Sequence, residues 1–302
     1  MGLQQKVLID VLCVGAATYD LVYSVDHHPQ PDEKIKATSF TGCGGGPAAN
    51  AAVTVAHLGL QSAFAGYLGN DIFGKAHIEE LEQAGVVTDF VEREEYPSAL
   101  SVVMVKPDGS RSLVNYRNPE SFLAPYTIDF SADDPKVVLF DGHEPNISPS
   151  LARYARQKGI ITVLDAGSAH KGTEDLEGLV DYLVCSERFA NEFTGELSED
   201  KALEKLDSYA PNIIITLGER GLVWKNSEGL GRLDAFQVKT VDTTGAGDIF
   251  HGALAACLAE NKEWNESLRY ASAAAALCCT KIGARLGIPT KEKVEGFLAA
   301  QG

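Results

Sequence analysis

The chain has 302 residues, 45% of them hydrophobic, and a formal net charge of −16. That is enough apolar material for one large domain, or one with an inserted lobe, and the charge argues against nucleic acid and anionic membrane surfaces as partners. No signal peptide and no apolar span of about 18 residues is legible, and the six cysteines include no C-x-x-C pair, so a reducing cytoplasm is the expected compartment. Taken in chain order, Val11–Gly15 reads as a short apolar strand. Residues 16–45 alternate apolar and polar positions (Leu21, Tyr23, Val25) without a long helix. Ala48–Leu58 is a small-residue helix closed by Gly59, Ala63–Leu68 a buried strand, and Lys75–Ala84 an amphipathic helix ending at Gly85. Residues 99–118 read as a hairpin. Its turn is Pro107-Asp108-Gly109, where Pro presets φ and Gly accepts a positive one. Buried strands follow at Val137–Phe140, Ile160–Leu164, Tyr182–Cys185 and Ile213–Leu217, separated by helical stretches at Ser150–Gln157, Glu187–Phe193 and Lys201–Tyr209. Helices at 246–260, 265–280 and 290–300 end the chain. Strands alternating with helices imply βαβ units and a mostly parallel sheet. The antiparallel ribbons within 16–45 and 99–118 imply a small sheet standing off it as a lid.

The most informative stretch is Val241-Asp242-Thr243-Thr244-Gly245-Ala246-Gly247-Asp248-Ile249-Phe250-His251-Gly252-Ala253. Gly245, Ala246 and Gly247 precede a run with helical spacing, so they fall at a helix start. The first amides there lack intrahelical partners and the dipole is positive. Without bulky side chains an anion can approach those amides closely. Asp248 then sets a carboxylate beside that anion. It adds nothing to phosphate binding, so a base for a hydroxyl that attacks the phosphate is its natural task. The bland alternative is an acidic first-turn residue of an ordinary helix.

Further clusters are weaker. Gly42-Cys43-Gly44-Gly45-Gly46 leads into Asn50, whose amide can both donate to and accept from a hydroxylated ligand. Gly69-Asn70-Asp71-Ile72-Phe73-Gly74-Lys75-Ala76 imitates a P-loop, but Ala76 lacks the hydroxyl that would ligate magnesium. His27-His28 lies in a polar loop with no third ligand nearby. His143 and Asp20 stand near strand ends, where α/β sites form. Thr216-Leu217-Gly218-Glu219-Arg220-Gly221 runs from a strand into a Gly-bracketed turn suited to a nucleotide.

With both glycine clusters in place, the chain resembles the ribokinase-like (PfkB) carbohydrate kinases along essentially its whole length. The resemblance rests on Asp242-Thr243-Thr244-Gly245-Ala246-Gly247-Asp248-x-Phe250-x-Gly252-Ala253, on Gly45-Gly46-x-x-x-Asn50 and on Gly66-x-x-Gly69-x-Asp71-x-x-Gly74. It implies a three-layer α/β/α fold with a β-sheet lid. Asp248 becomes the catalytic base and Gly245, Ala246 and Gly247 the anion hole. Asp20, Gly45, Gly46 and Asn50 contact the sugar, joined by Asn115 on the lid and His143. Thr216, Gly218, Gly221 and Thr244 lie against the nucleotide, and Arg111 meets phosphate charge. The family's usual Asn-x-x-Glu is replaced by Ser186 and Phe189, leaving Glu187 to reach magnesium through water. A monovalent-cation loop, with Asp242 and Gly283, carries Gly287 where ribokinases usually have serine, so potassium is an open expectation.

The expected activity is ATP- and magnesium-dependent phosphorylation of a small uncharged sugar, a ketose such as fructose being favoured. The alternatives are a sulfofructose-like sugar, ribose or a nucleoside, and, from another class, a sugar-binding regulator without catalysis. His143 stands where the sulfo-sugar branch carries arginine, which argues for a neutral substrate. A homodimer through the lid is expected, because the main body cannot cover both faces of a small sheet with apolar residues on each.

Overall fold

In a computed structural model, residues 8–125, 128 and 134–301 are described. The strands are β1 (Val11–Val14), β2 (Thr18–Ser24), β3 (Ser39–Gly45), β4 (Ser62–Tyr67), β5 (Val87–Glu92), β6 (Leu100–Val105), β7 (Arg111–Tyr116), β8 (Val137–Phe140), β9 (Ile161–Ala166), β10 (Tyr182–Ser186), β11 (Asn212–Thr216), β12 (Leu222–Asn226) and β13 (Gly229–Leu233). The helices are α1 (Pro47–His57), α2 (Ile72–Gln83), α3 (Ser148–Lys158), α4 (Lys171–Glu174), α5 (Glu187–Thr194), α6 (Glu199–Leu206), α7 (Ala246–Ala259), α8 (Trp264–Cys278), α9 (Ala284–Gly287) and α10 (Lys291–Gln301). None is long and apolar enough to cross a membrane.

Nine strands form one sheet in the order β13-β12-β11-β10-β9-β8-β1-β4-β5. It is parallel from β5 to β11, and β12 and β13 close one edge antiparallel. The central strands are apolar on both faces because helices cover both. Val11 and Cys13 of β1 join the core under α1, α7 and α8, whereas Leu12 and Val14 join the core under α3, α5 and α6. This is the expected ribokinase-like α/β architecture. Three strands of this sheet were not anticipated. The β12–β13 hairpin and β5 lie at the two sheet edges, where half-covered strands carry a weaker apolar signal.

Strands β3-β2-β6-β7 form the second sheet. Its inner pair, β2 and β6, is parallel, so the sheet is mixed rather than a set of antiparallel ribbons. Paired residues point to one side, so Asp20, Cys43, Ser101 and Asn115 share a row across all four strands.

The P-loop look-alike is a packing hinge. Asp71 caps α2, accepting from the Gly74 amide (2.8 Å), and also holds the Ser98 amide (2.7 Å) at the root of β6. A carboxylate thus occupies the helix N-terminus where a phosphate would have to sit.

Candidate active site

The order of strands reverses beside β1, since β4 lies on one side and β8 on the other. Ligand crevices in open α/β sheets form at the carboxyl ends of strands around such a point. Asp141, directly after β8, lies there and accepts from the amides of Ala16 (2.8 Å), Ala48 (3.1 Å) and His143 (2.8 Å). An added Cβ on Gly15 would overlap the Asp141 carboxylate. This ion therefore fastens the loop after β1 to the start of α1.

That fastening presents the cluster expected to meet the sugar. Asp20 accepts from the Thr18 hydroxyl (3.0 Å) and lies against Gly45, where a Cβ would stand 2.4 Å from its carboxylate oxygen. Gly46, with φ 96°, starts α1, and a Cβ there would strike the Ala16 carbonyl at 2.5 Å. Burial raises the Asp20 pKa, opposed by the Thr18 hydrogen bond and the Arg285 charge.

Asn50, on the first turns of α1, donates from Nδ2 to Asp248 Oδ2 (2.8 Å), and its Oδ1 has no protein partner. The two glycine clusters, 198 residues apart, thus meet through one hydrogen bond. Asp248 stands in the first turn of α7, after the N-cap Gly245 at φ 77°. A side chain on Gly245 would overlap Ala284, so only glycine allows the turn. Desolvation, then the neighbouring Asp165 carboxylate, pushes the Asp248 pKa up to about 7, while the Asn50 hydrogen bond and His251 oppose the rise. An ordinary carboxylate pKa would also serve a base, but this one titrates near neutrality.

Asp242 organises the loop before α7. It accepts from the Thr244 amide (2.9 Å), the Thr244 hydroxyl (2.6 Å) and the Gly283 amide (2.8 Å). Arg111, from β7 of the small sheet, reaches across to Asp242 (3.3 Å) and to the Thr244 hydroxyl. A cavity of about 480 Å³ opens beside this loop. Thr216, Gly218 and Gly221 line it from the β11 end, and Thr243, Ala246 and Gly247 from the turn that starts α7. Thr244 itself is turned toward Asp242 and Arg111.

Among the other expected residues, Asn115 stays in the row of Asp20, whereas His143 and Glu187 lie elsewhere. The His143 ring stacks on His170, with centroids 4.9 Å apart, and lines a separate depression with Asn146 and Lys171. Its carbonyl accepts from Arg117 (2.9 Å), which also pairs with the fully buried Glu144 (2.7 Å). Asn115 accepts from the Ser101 hydroxyl (2.9 Å) in the row that carries Asp20. Glu187 pairs with Arg220 (2.6 Å) at the surface. Among the described residues no three His, Cys, Asp or Glu side chains gather to hold a metal ion.

Four residues of the site were not singled out from sequence: Asp141, Asp165, His251 and Arg285. Asp141 and Asp165 each stand at a strand's carboxyl end, a placement legible once the strands were drawn. Arg285 donates to the Gly44 carbonyl (3.2 Å) and faces His77 (3.1 Å), with Nη1 left unpartnered. Nothing in the sequence brings it near Gly44.

Comparison with known proteins identifies the family. The profile of the pfkB family carbohydrate kinases matches residues 8–291. The ribokinase of Bacillus subtilis is 31% identical over 294 residues, covering 96% of this chain and 99% of that protein. The crystal structure of ribokinase from Thermotoga maritima superposes with a TM-score of 0.88 at 32% identity, over 97% of this chain and 99% of that one. The structure of Arabidopsis thaliana ribokinase complexed with ribose and ATP superposes with a TM-score of 0.85 at 27% identity, over 96% and 99%. The chain belongs to the pfkB family of carbohydrate kinases, phosphotransferases with an alcohol group as acceptor.

Proposed function

We propose that this sugar kinase transfers the γ-phosphoryl group of ATP to a hydroxyl of a small uncharged sugar, with Asp248 as the proton acceptor. The observation that carries the reading is the Asn50–Asp248 hydrogen bond, which joins the glycine-fed start of α1 to the turn whose Ala246 and Gly247 line the 480 Å³ cavity. Asp20 and Asn50 hold the sugar, and Asn115 covers it from the small sheet, which acts as the lid. ATP lies along Thr216, Gly218 and Gly221 with its terminal phosphate at the amides of 245–247. The acceptor hydroxyl sits between Asp248 and that phosphate. As the new P–O bond forms and the bond to ADP breaks, Asp248 takes the hydroxyl proton, and the amides meet the charge on the phosphoryl oxygens. The Arabidopsis ribokinase complex with ATP supports the nucleotide by likeness. The chain offers magnesium no carboxylate cluster among the described residues, and Glu187 is engaged by Arg220, so the ion would enter on the phosphates, where it neutralises charge. The Asp242 oxygens are met by Thr244, Gly283 and Arg111, and Cys278 fills the space that a side chain at 287 would need, so no step is assigned to potassium.

A neutral ketose such as fructose is the favoured acceptor. Arg111 and Arg117 pair with acidic partners, and the Glu80 and Asp20 carboxylates oppose the Arg285 charge, which disfavours an anionic substituent beside them. Ribose is the second reading, favoured by the likeness to ribokinases. Six free cysteines suit a reducing cytoplasm. ADP release measured with fructose, ribose, a sulfonated ketose and a nucleoside tests the assignment. Efficient turnover of the sulfonated sugar alone would overturn the neutral acceptor, and ribose outpacing fructose would select the second reading.

A further inference from the structure

His251 is 3% exposed, points from α7 into the sheet, and has no part in the reaction described above. Its Nδ1 lies 2.5 Å from the carbonyl oxygen of Gly247, and its Nε2 lies 3.0 Å from the carbonyl oxygen of Val184 on β10. A carbonyl only accepts. A neutral imidazole carries one N–H, so one ring nitrogen would present its lone pair to an oxygen lone pair. With the proton on Nε2 the clash would fall at the 2.5 Å contact, and with the proton on Nδ1 at the 3.0 Å contact, so either neutral tautomer leaves one repulsive pair. Only the imidazolium, with two N–H donors, satisfies both oxygens. A compensating anion is at hand, since Asp165 Oδ2 lies 3.3 Å from Nδ1.

We propose that His251 is held as an imidazolium paired with Asp165, and that this buried pair is a positioning element that keeps Asp248 ionisable and locks the Gly247 peptide of the anion hole. The proposal rests on Asp248 being the base. The charged and titratable groups around the ring are few. Asp248 lies one turn back on α7. Asp165 comes from β9, and Asp141, from the end of β8, acts on both of these carboxylates. The thiol of Cys185, on β10, is held protonated by burial. Three backbone amides already meet the Asp141 charge. That leaves two carboxylates, Asp165 and Asp248, around one cation. Burial lowers the ring's pKa, opposed by the Val184 and Gly247 carbonyls and by Asp248, and burial also raises that of Asp165, so it is the two carbonyl contacts and the Asp165 contact that argue for the charged ring. The cation in turn opposes the rise of the Asp248 pKa.

The test begins with the wild-type enzyme labelled with ¹⁵N-histidine, the His251 signals being assigned by their loss in His251→Gln. Both ring nitrogens of His251 are expected to be protonated from pH 6 to 8. A single protonated nitrogen across that range would overturn the proposal. In Asp165→Asn the ring should lose its second proton within the same range, and retention of the imidazolium would show that Asp165 is not its partner. Kinetically, His251→Gln should move the acid limb of kcat/KM upward by about one pH unit, so the variant loses ~tenfold more at pH 6 than at pH 8.5. A uniform loss with an unmoved limb would mark a packing role only and overturn the coupling. Should His251→Gln not fold, assignment passes to Gly247-selective ¹³C labelling, and the wild-type and Asp165→Asn spectra decide. These spectra read the ring directly, so a neutral His251 would leave Asp248 standing as base, whereas an active Asp248→Asn enzyme would remove the base without changing the ring's signal.

Discussion

Asp248 is a carboxylate whose partial desolvation and acidic neighbour make the proton costly to remove, so both activity and stability depend on its charge. The base role proposed for it needs the ionised form. With a pKa of about 7, kcat/KM should rise with pH through neutrality and level off above it, which a pH-rate profile measures. Asp248→Asn removes the proton acceptor and should cost ~10²–10⁴ in kcat while ATP affinity, read by calorimetry, persists. Stability moves the opposite way. An aspartate ordinarily titrates near ~3.9, so between about pH 4 and 7 the folded chain binds a proton that the unfolded chain has released. Folding stability attributable to Asp248 therefore falls as pH rises through that window. Asp248→Asn should thus melt higher than wild type at pH 8, by about 1–3 kcal/mol, and the advantage should vanish toward pH 4. A variant that melts lower at both pH values would show that the charge is fully compensated. Asp248 and the small residues before it were legible in sequence because helix N-terminal chemistry depends on neighbours within one turn. His251 stands in the same motif, yet its role was not legible, because Val184 and Asp165 reach it from strands distant in sequence.

At the scale of elements, the small sheet is tied to the body at several places, Arg285 on the Gly44 carbonyl among them. Asp71 grips Ser98 at the root of β6, and Arg111 on β7 crosses to Asp242 and Thr244 beside the anion hole. Arg111 is about one-third exposed, so its ion pair adds little stability, and its effect should appear in closure. Arg111→Ala is expected to lower kcat or raise the KM for ATP several-fold with an unchanged melting temperature; unchanged kinetics would leave it a surface arginine. Gly45 makes a complementary test. A methyl there would stand 2.4 Å from the Asp20 carboxylate. Gly45→Ala should raise the sugar KM by ~tenfold or more and leave the KM for ATP alone, since the cavity proposed for the nucleotide is lined by other residues. The strands around these residues were readable where they are buried on both faces. β5 and the β12–β13 hairpin were not, because an edge strand shows only half of the apolar signal. The parallel pairing of β2 with β6 was equally hidden, since pairing partners far apart leave no local trace.

For the whole molecule, the outer face of the small sheet poses the open question. Leu21, Tyr23, Phe40, Met104, Val114 and Tyr116 alternate onto that face, opposite the row of Asp20 and Asn115. Phe40, Val114 and Tyr116 are each more than half exposed. Contiguous apolar surface of this kind marks an interaction site in soluble proteins. We expect a second copy to cover it in an isologous dimer. Light scattering should give twice the monomer mass at micromolar concentration, and Val114→Asp should halve it; a monomeric wild type would remove the expectation.

By itself, the sequence determined the parallel α/β architecture, the helix start at Gly245–Asp248 and the glycine-fed start of α1 with Asn50. Each is a local matter, decided by hydrophobic period, by backbone freedom and by unpaired amides within one helical turn. Only the tertiary structure decided that Asn50 meets Asp248 across 198 residues, that Arg117 serves Glu144, that the His143 ring stacks on His170, and that Arg285 lies against Gly44. These contacts depend on which strands become neighbours and how far each side chain must reach. A chain read one residue at a time carries no distance between its segments, and the raised pKa of the base is a product of such distances alone.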